Sequence, residues 1–171
     1  MTGTVYTIPP IPPDDANTTY VAAGALRIGV EYRLLNDAEL AANYQGEDME
    51  QIQAATQGQT VEDNGVSIHV FGEEDGHEYL RFDMFAKAPH YHYIDRSGEQ
   101  QTILEYDRVA LGDMLPWALQ QLCTRLPEML RFAGGEALAD ALDPAEVAQS
   151  LKEVETLARA AEAALRAQLQ G

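Results

Sequence analysis

The sequence is nearly free of cysteine: Cys123 stands alone among 171 residues. An internal disulfide framework and a cysteine-built zinc cage are both excluded. Basic residues are scarce as well, with 11 Lys and Arg against 28 Asp and Glu, a formal net charge of −17 and a pI near 4.3. Nucleic-acid binding needs a surplus of Lys and Arg facing phosphate, so that role is disfavoured, as is a polybasic membrane anchor. No apolar run nears the ~18 residues of a transmembrane helix. The opening MTGTVYTIPPIPPDD has neither the basic start nor the apolar stretch of an export signal. A glycine-rich phosphate loop, a dinucleotide fingerprint and a Gly-x-Ser-x-Gly elbow are missing too. These absences predict a soluble, acidic, cytoplasmic protein with no nucleic-acid and no membrane partner.

What is present suffices for a core. Hydrophobic residues make up 46% of the chain, and the length suits a single domain over 1–171. Four of the eight prolines (Pro9, Pro10, Pro12, Pro13) fall within residues 1–19. Proline removes donors and favours extended backbone, which predicts an arm, either mobile or laid across a neighbouring subunit. Leu26, Ile28 and Val30 alternate with polar neighbours, the signature of a strand. From Leu34 to Leu80 there are eleven acids and no Lys or Arg. That block reads as a solvated face, since no loop in it has the alternating Asp/Asn pattern of a calcium-binding hand.

The middle of the chain is rich in aromatic and β-branched residues. Gly65–Phe71, His77–Phe85, His90–Ile94 and Gln101–Tyr106 read as strands separated by short turns, which implies an antiparallel meander. Residues 25–106 are thus expected to be mainly β and 113–170 helical. Leu115, Leu119, Leu122, Leu126 and Met129 form a stripe at helical spacing, which Pro127 should split and Gly134-Gly135 should stop. Cys123, within that stripe, is expected to be buried and inert, and Trp117 to pack at the helix start. Asp143 and Pro144 signal the cap and first residue of a last helix, with Glu146 as reciprocal partner. The stripe Val147, Leu151, Val154, Ala158, Ala161, Leu165 of that helix would pack on the body or against a second copy in a homodimer. The expected class is α+β: an antiparallel β-meander of about five strands with C-terminal helices packed on one face.

Side chains alternate along a strand, so turn length sets which residues share a face. Pairing Phe71 with His77 sets Ile68 opposite Leu80 and Val66 opposite Phe82. Pairing Phe85 with His90 sets Asp83 opposite His92, and a Ser97-Gly98 turn sets His90 opposite Glu105 and Tyr91 opposite Leu104. One face then collects Ser67, His69, Tyr79, Arg81, Asp83, His90, His92 and Glu105, the other Val66, Ile68, Val70, Leu80, Phe82 and Met84. His77, at a turn, is expected to be solvated.

Opposed residues on adjoining strands are near enough to share an ion or a proton. Two imidazoles, His90 and His92, with the carboxylates of Asp83 and Glu105, suit a divalent zinc, iron or manganese ion with positions left open for a small molecule. The same residues also suit metal-free catalysis, with His90 or His92 as general base and Arg81 holding an anionic substrate. A third reading is a plain surface ion network on an interaction module that docks a protein partner and has no activity. The His-x-His pair is similar to that of cupin barrels, but the carboxylate those need four or five residues later is replaced by Arg96 and Ser97, so that assignment is not carried over. The stretch Leu80-Arg-Phe-Asp-Met-Phe-Ala-Lys-Ala-Pro-His-Tyr-His-Tyr-Ile94, followed by Met114-Leu-Pro-Trp-Ala-Leu119, resembles a bacterial protein family of unknown function. The resemblance covers roughly residues 60–133 and implies a family-specific β-hairpin, with no activity or site residues attached.

Overall fold

The computed structural model describes residues 2–171. Seven strands form one antiparallel sheet: β1 (Thr4–Tyr6), β2 (Thr18–Ala23), β3 (Leu26–Asn36), β4 (Glu62–Gly72), β5 (Glu78–Phe85), β6 (His90–Ile94) and β7 (Gln101–Glu105). Their order across the sheet is β1-β7-β6-β5-β4-β3-β2. Strands β2 to β7 are a continuous meander, and β1 closes the far edge by pairing with β7 through Thr4↔Ile103 and Tyr6↔Gln101. The α+β class and the meander agree with the sequence reading. Two strands were not anticipated. β2 lies where the arm was expected to end, turning back into β3 at Gly24, whose φ of +64° suits glycine.

Apolar side chains at alternate positions build one face of the sheet: Leu26, Ile28 and Val30 on β3, Val66, Ile68 and Val70 on β4, Leu80 and Phe82 on β5. The helices that cover this face are α4 (Met114–Thr124), α5 (Leu126–Phe132), α6 (Glu136–Asp140) and α7 (Pro144–Gln170), preceded by a single-turn α3 (Arg108–Leu111). Pro127 splits α4 from α5 at Arg125, as its missing N–H requires. Asp143 caps α7, accepting from the amides of Ala145 and Glu146. The α7 stripe Val147, Leu151, Val154, Ala158 and Leu165 is buried against the sheet and α4 within the same chain. Trp117 packs where expected, with ring centroids 6.1, 5.2 and 5.0 Å from Phe82, Tyr91 and Tyr106. Cys123 departs from expectation: it is exposed, on the outer side of α4.

The opposite face is covered too. Between β3 and β4 the chain forms α1 (Asp37–Asn43) and α2 (Gly46–Thr56), and these join the proline-rich arm in a second core of Ile8, Ile11, Leu40 and Tyr44. The arm is extended as its prolines dictate, but it lies across its own sheet. Tyr44 donates its hydroxyl to the Pro9 carbonyl at 2.7 Å, Arg81 Nη2 donates to the Ile11 carbonyl at 2.7 Å, and Gln101 Nε2 to the Ile8 carbonyl at 3.2 Å.

The register corrects the expected one without disturbing most of its faces. Ile68 lies opposite Phe82, Val66 opposite Met84 and Val70 opposite Leu80. Asp83 lies opposite His90, and Arg81 opposite His92. Each slip is by two residues, so the faces of these residues are preserved. His90↔Glu105 and Tyr91↔Leu104 pair as expected. One irregularity does change a face. A bulge where Val70 pairs with Leu80 and Phe71 with Glu78 leaves Tyr79 unopposed. Tyr79 joins the helix-side core, and Glu78 is delivered to the polar face.

Candidate metal centre

Three side chains converge on the covered polar face. Asp83 comes from β5, and His90 and His92 come from alternate positions of β6, so period-two geometry aims all three the same way. His92 Nε2 lies 2.9 Å and His90 Nε2 3.2 Å from the same oxygen, Asp83 Oδ2. Their potential ligand atoms lie within 4.8 Å of one another, a grouping that can hold a metal ion. Separations of 2.9 and 3.2 Å are hydrogen-bond distances, and two donors ~2.1 Å from one ion stand ~3.0 Å apart in an octahedral site and ~3.4 Å apart in a tetrahedral one.

Every other polar atom of the three is occupied. Ser67 Oγ donates to Asp83 Oδ1, leaving Oδ2 to face the imidazoles. His90 Nδ1 donates to the Ala88 carbonyl at 2.7 Å. His92 Nδ1 donates to Gln101 Oε1 at 2.7 Å, and Gln101 is oriented in turn by its own donation to Ile8. The Ala86–Pro89 turn that carries His90 is itself fixed by Asp63, whose carboxylate accepts from the amides of Lys87 and Ala88 at 2.9 Å each. These acceptors put a hydrogen on Nδ1 of both rings and leave both Nε2 atoms facing the carboxylate, where a ring that keeps its second proton donates to Asp83 and a ring that loses it offers a lone pair.

The electrostatics follow from burial and these contacts. Burial alone would raise the Asp83 carboxyl, but hydrogen bonds and charge from His90 and His92 carry it well below its usual range. Burial pushes both imidazoles down. In His90 the hydrogen bond and charge of Asp83 outweigh that and the net shift is upward, whereas in the more deeply buried His92 burial prevails and the net shift is downward.

A second polar group lies alongside. His69 places Nε2 2.8 Å from Glu31 Oε2 and Nδ1 2.6 Å from Glu78 Oε1. Carboxylates only accept, so both ring nitrogens must donate and the ring is an imidazolium. Its pKa is correspondingly raised: burial opposes the charge, and Glu78 and Glu31 more than offset it. Glu78 also accepts from Arg81 Nε and Nη2, and burial, which would raise it, loses to Arg81 and His69, so its carboxyl drops to about 2.

Of the residues singled out from sequence, Asp83, His90 and His92 come together. Glu105 opposes His90 in register but is exposed and stands outside the group of converging ligand atoms, because β7 carries it at the sheet's open end. Arg81 shares the face and is fully buried, with Nε and Nη2 committed to Glu78 and the Ile11 carbonyl. His77 is half-buried, edge-on to Tyr79 at 4.5 Å, rather than solvated. Ser67, expected on this face, does lie there against Asp83, whereas Gln101, Glu31, Glu78 and Arg33 went unnoticed. Of these, Gln101 falls at the right parity on a strand already recognised, and the bulge concealed Glu78.

A cavity of about 150 Å³ adjoins the three. Arg33, Asp83, His90, His92 and Gln101 line its sheet side, and Ile8, Ile11, Leu40, Tyr44 and Ile52 roof it.

Comparison with curated proteins and with solved structures finds no match. A family model described as a domain of unknown function, DUF7700, matches residues 20–158, which takes in β2 through most of α7 and therefore all three converging residues. With well over half of its length matched, the chain belongs to that family.

Proposed function

We propose that the protein is a small metalloprotein, and by its open coordination positions a metalloenzyme, that holds a divalent zinc, iron or manganese ion on Asp83, His90 and His92. The single observation that supports this is the convergence of the two Nε2 atoms on one carboxylate oxygen, with both Nδ1 positions spent on carbonyl oxygens. A divalent ion at that point takes the place of the protons the two rings otherwise hold against the carboxylate. Donation of the distal ring N–H to a carbonyl is also how metal-bound histidines are oriented. Two imidazoles and one carboxylate leave positions open on the ion, as catalytic sites do and structural sites do not. The adjoining cavity supplies space for a small molecule at those positions.

The test is metal analysis of the purified protein, before and after dialysis against zinc, manganese or anaerobic ferrous iron. Stoichiometric retention, lost in a His90→Ala/His92→Ala double variant whose circular dichroism is unchanged, is expected. A wild-type protein that retains no metal after loading overturns the reading and returns the pair to metal-free acid–base chemistry or to a docking surface.

A further inference from the structure

Among the described residues, Arg33 is the charged side chain of the cavity with a buried donor left unpaired. It extends from β3, opposite Gly65 of β4, and is 4% exposed. Its Nε is buried with no hydrogen-bond partner, since the nearest carboxylate oxygen, Glu31 Oε2, is 3.9 Å away. Nη2 reaches only the Glu39 carboxylate of α1, at 3.4 Å, and that side chain is 32% exposed. A buried guanidinium with an orphan donor is costly, because the desolvated N–H has lost water and gained nothing. Arg81, on the same face, is the contrast, with its Nε and Nη2 held at 2.7 to 2.8 Å.

Charge balance gives the sign of the missing partner. Three buried acids, Glu31, Asp63 and Asp83, and the nearly buried Glu78 face three buried cations, Arg33, Arg81 and the His69 imidazolium, which leaves one negative charge in excess. A divalent ion on Asp83, His90 and His92 leaves this enclosed face with excess positive charge, which an anion must neutralise. The remaining walls are apolar, and a void of 150 Å³ accepts a molecule about the size of benzene. Planar, forked donors match a carboxylate in two-point fashion.

We propose that the cavity binds a small monocarboxylate with an apolar body, its carboxylate on Arg33 and its other end toward the ion site. This rests on the metal reading above for the far end of the ligand, and on Arg33 alone for the near end.

The experiment is calorimetric titration of the zinc-loaded protein with butyrate and isovalerate, each paired with its amide, butyramide and isovaleramide. At least tenfold tighter binding of each acid than of its amide is expected. That preference should vanish in Arg33→Met with zinc content unchanged. Equal binding of acid and amide, or no binding of either, overturns the proposal without any variant. A preference that survives in Arg33→Met overturns it as well, by placing the carboxylate on the metal. The zinc content of each sample separates the two readings. A preference that depends on Arg33 in protein that holds no zinc keeps the anion site and ends the metal assignment, and bound zinc without that preference does the reverse.

Discussion

A ring nitrogen that is to hold an ion depends on what fixes the ring's other nitrogen. Here that duty falls to Gln101 for His92 and to the Ala88 carbonyl for His90. Replacing Gln101 with Leu keeps the volume and removes the acceptor, so metal affinity should fall by ~10–100-fold with the fold retained; a competition titration against a fluorescent zinc chelator measures it. The neighbouring His69 group makes a different forecast, about pH. The folded His69 pKa lies above 6.5, so its contribution to stability is full below 6.5 and is lost as pH rises through the raised folded value. Glu78 runs the other way. Its folded pKa is about 2 against 4.5, so its contribution is full above 4.5 and is lost as pH falls from 4.5 toward 2. Urea midpoints of the wild type should therefore decline on both sides of a plateau. His69→Asn should flatten the alkaline limb and Glu78→Gln the acid limb.

Elements were far more legible in the sequence than the distances between them. Period-two alternation marked β3 to β7, because an apolar residue on the wrong face of a half-buried strand is penalised at once. Loop length proved the weaker guide: both hairpins flanking β5 close two residues away from the expected register, and only parity saved the grouping of Asp83 with His90 and His92. The bulge at Tyr79 has no local signature, since the pull that decides it comes from the helix-side core, where Tyr79 is 1% exposed. β2 was hidden by its position between the proline arm and Gly24, although Thr18-Thr-Tyr-Val carries ordinary strand residues. The same element-scale packing gives a stability forecast. Phe82, fully buried in β5 between Tyr91 and Trp117, should cost ~3–5 kcal/mol when changed to Ala. Phe132, 54% exposed on α5, should cost well under half of that, and urea denaturation of the two variants side by side decides it.

At the scale of the whole molecule the sheet is covered on both faces, by α4 to α7 on one and by the arm with α1 and α2 on the other. The sequence pointed to a single covered face, because the acidic stretch 34–80 looks like solvated surface and most of its acids are. Asp63 and Glu78 are the exceptions, and no composition argument distinguishes a buried, bonded acid from a hydrated one. A ligand that binds only the folded state stabilises all of it, by ~2.7 kcal/mol when present at a hundred times its dissociation constant. Zinc or manganese should therefore raise the Tm of the wild type and leave that of the His90→Ala/His92→Ala variant unmoved, in a thermal scan over a concentration series.

The strap formed by Ile8, Pro9 and Ile11 is clasped by side chains lying 93, 35 and 70 positions further along. Whatever is joined ahead of Thr4 therefore tugs on the roof of the cavity, whereas the exposed tail of α7 ends far from it in sequence and carries no such leverage. For anyone preparing this protein, an affinity handle belongs at the carboxyl end, and a bulky amino-terminal fusion should itself blunt metal uptake.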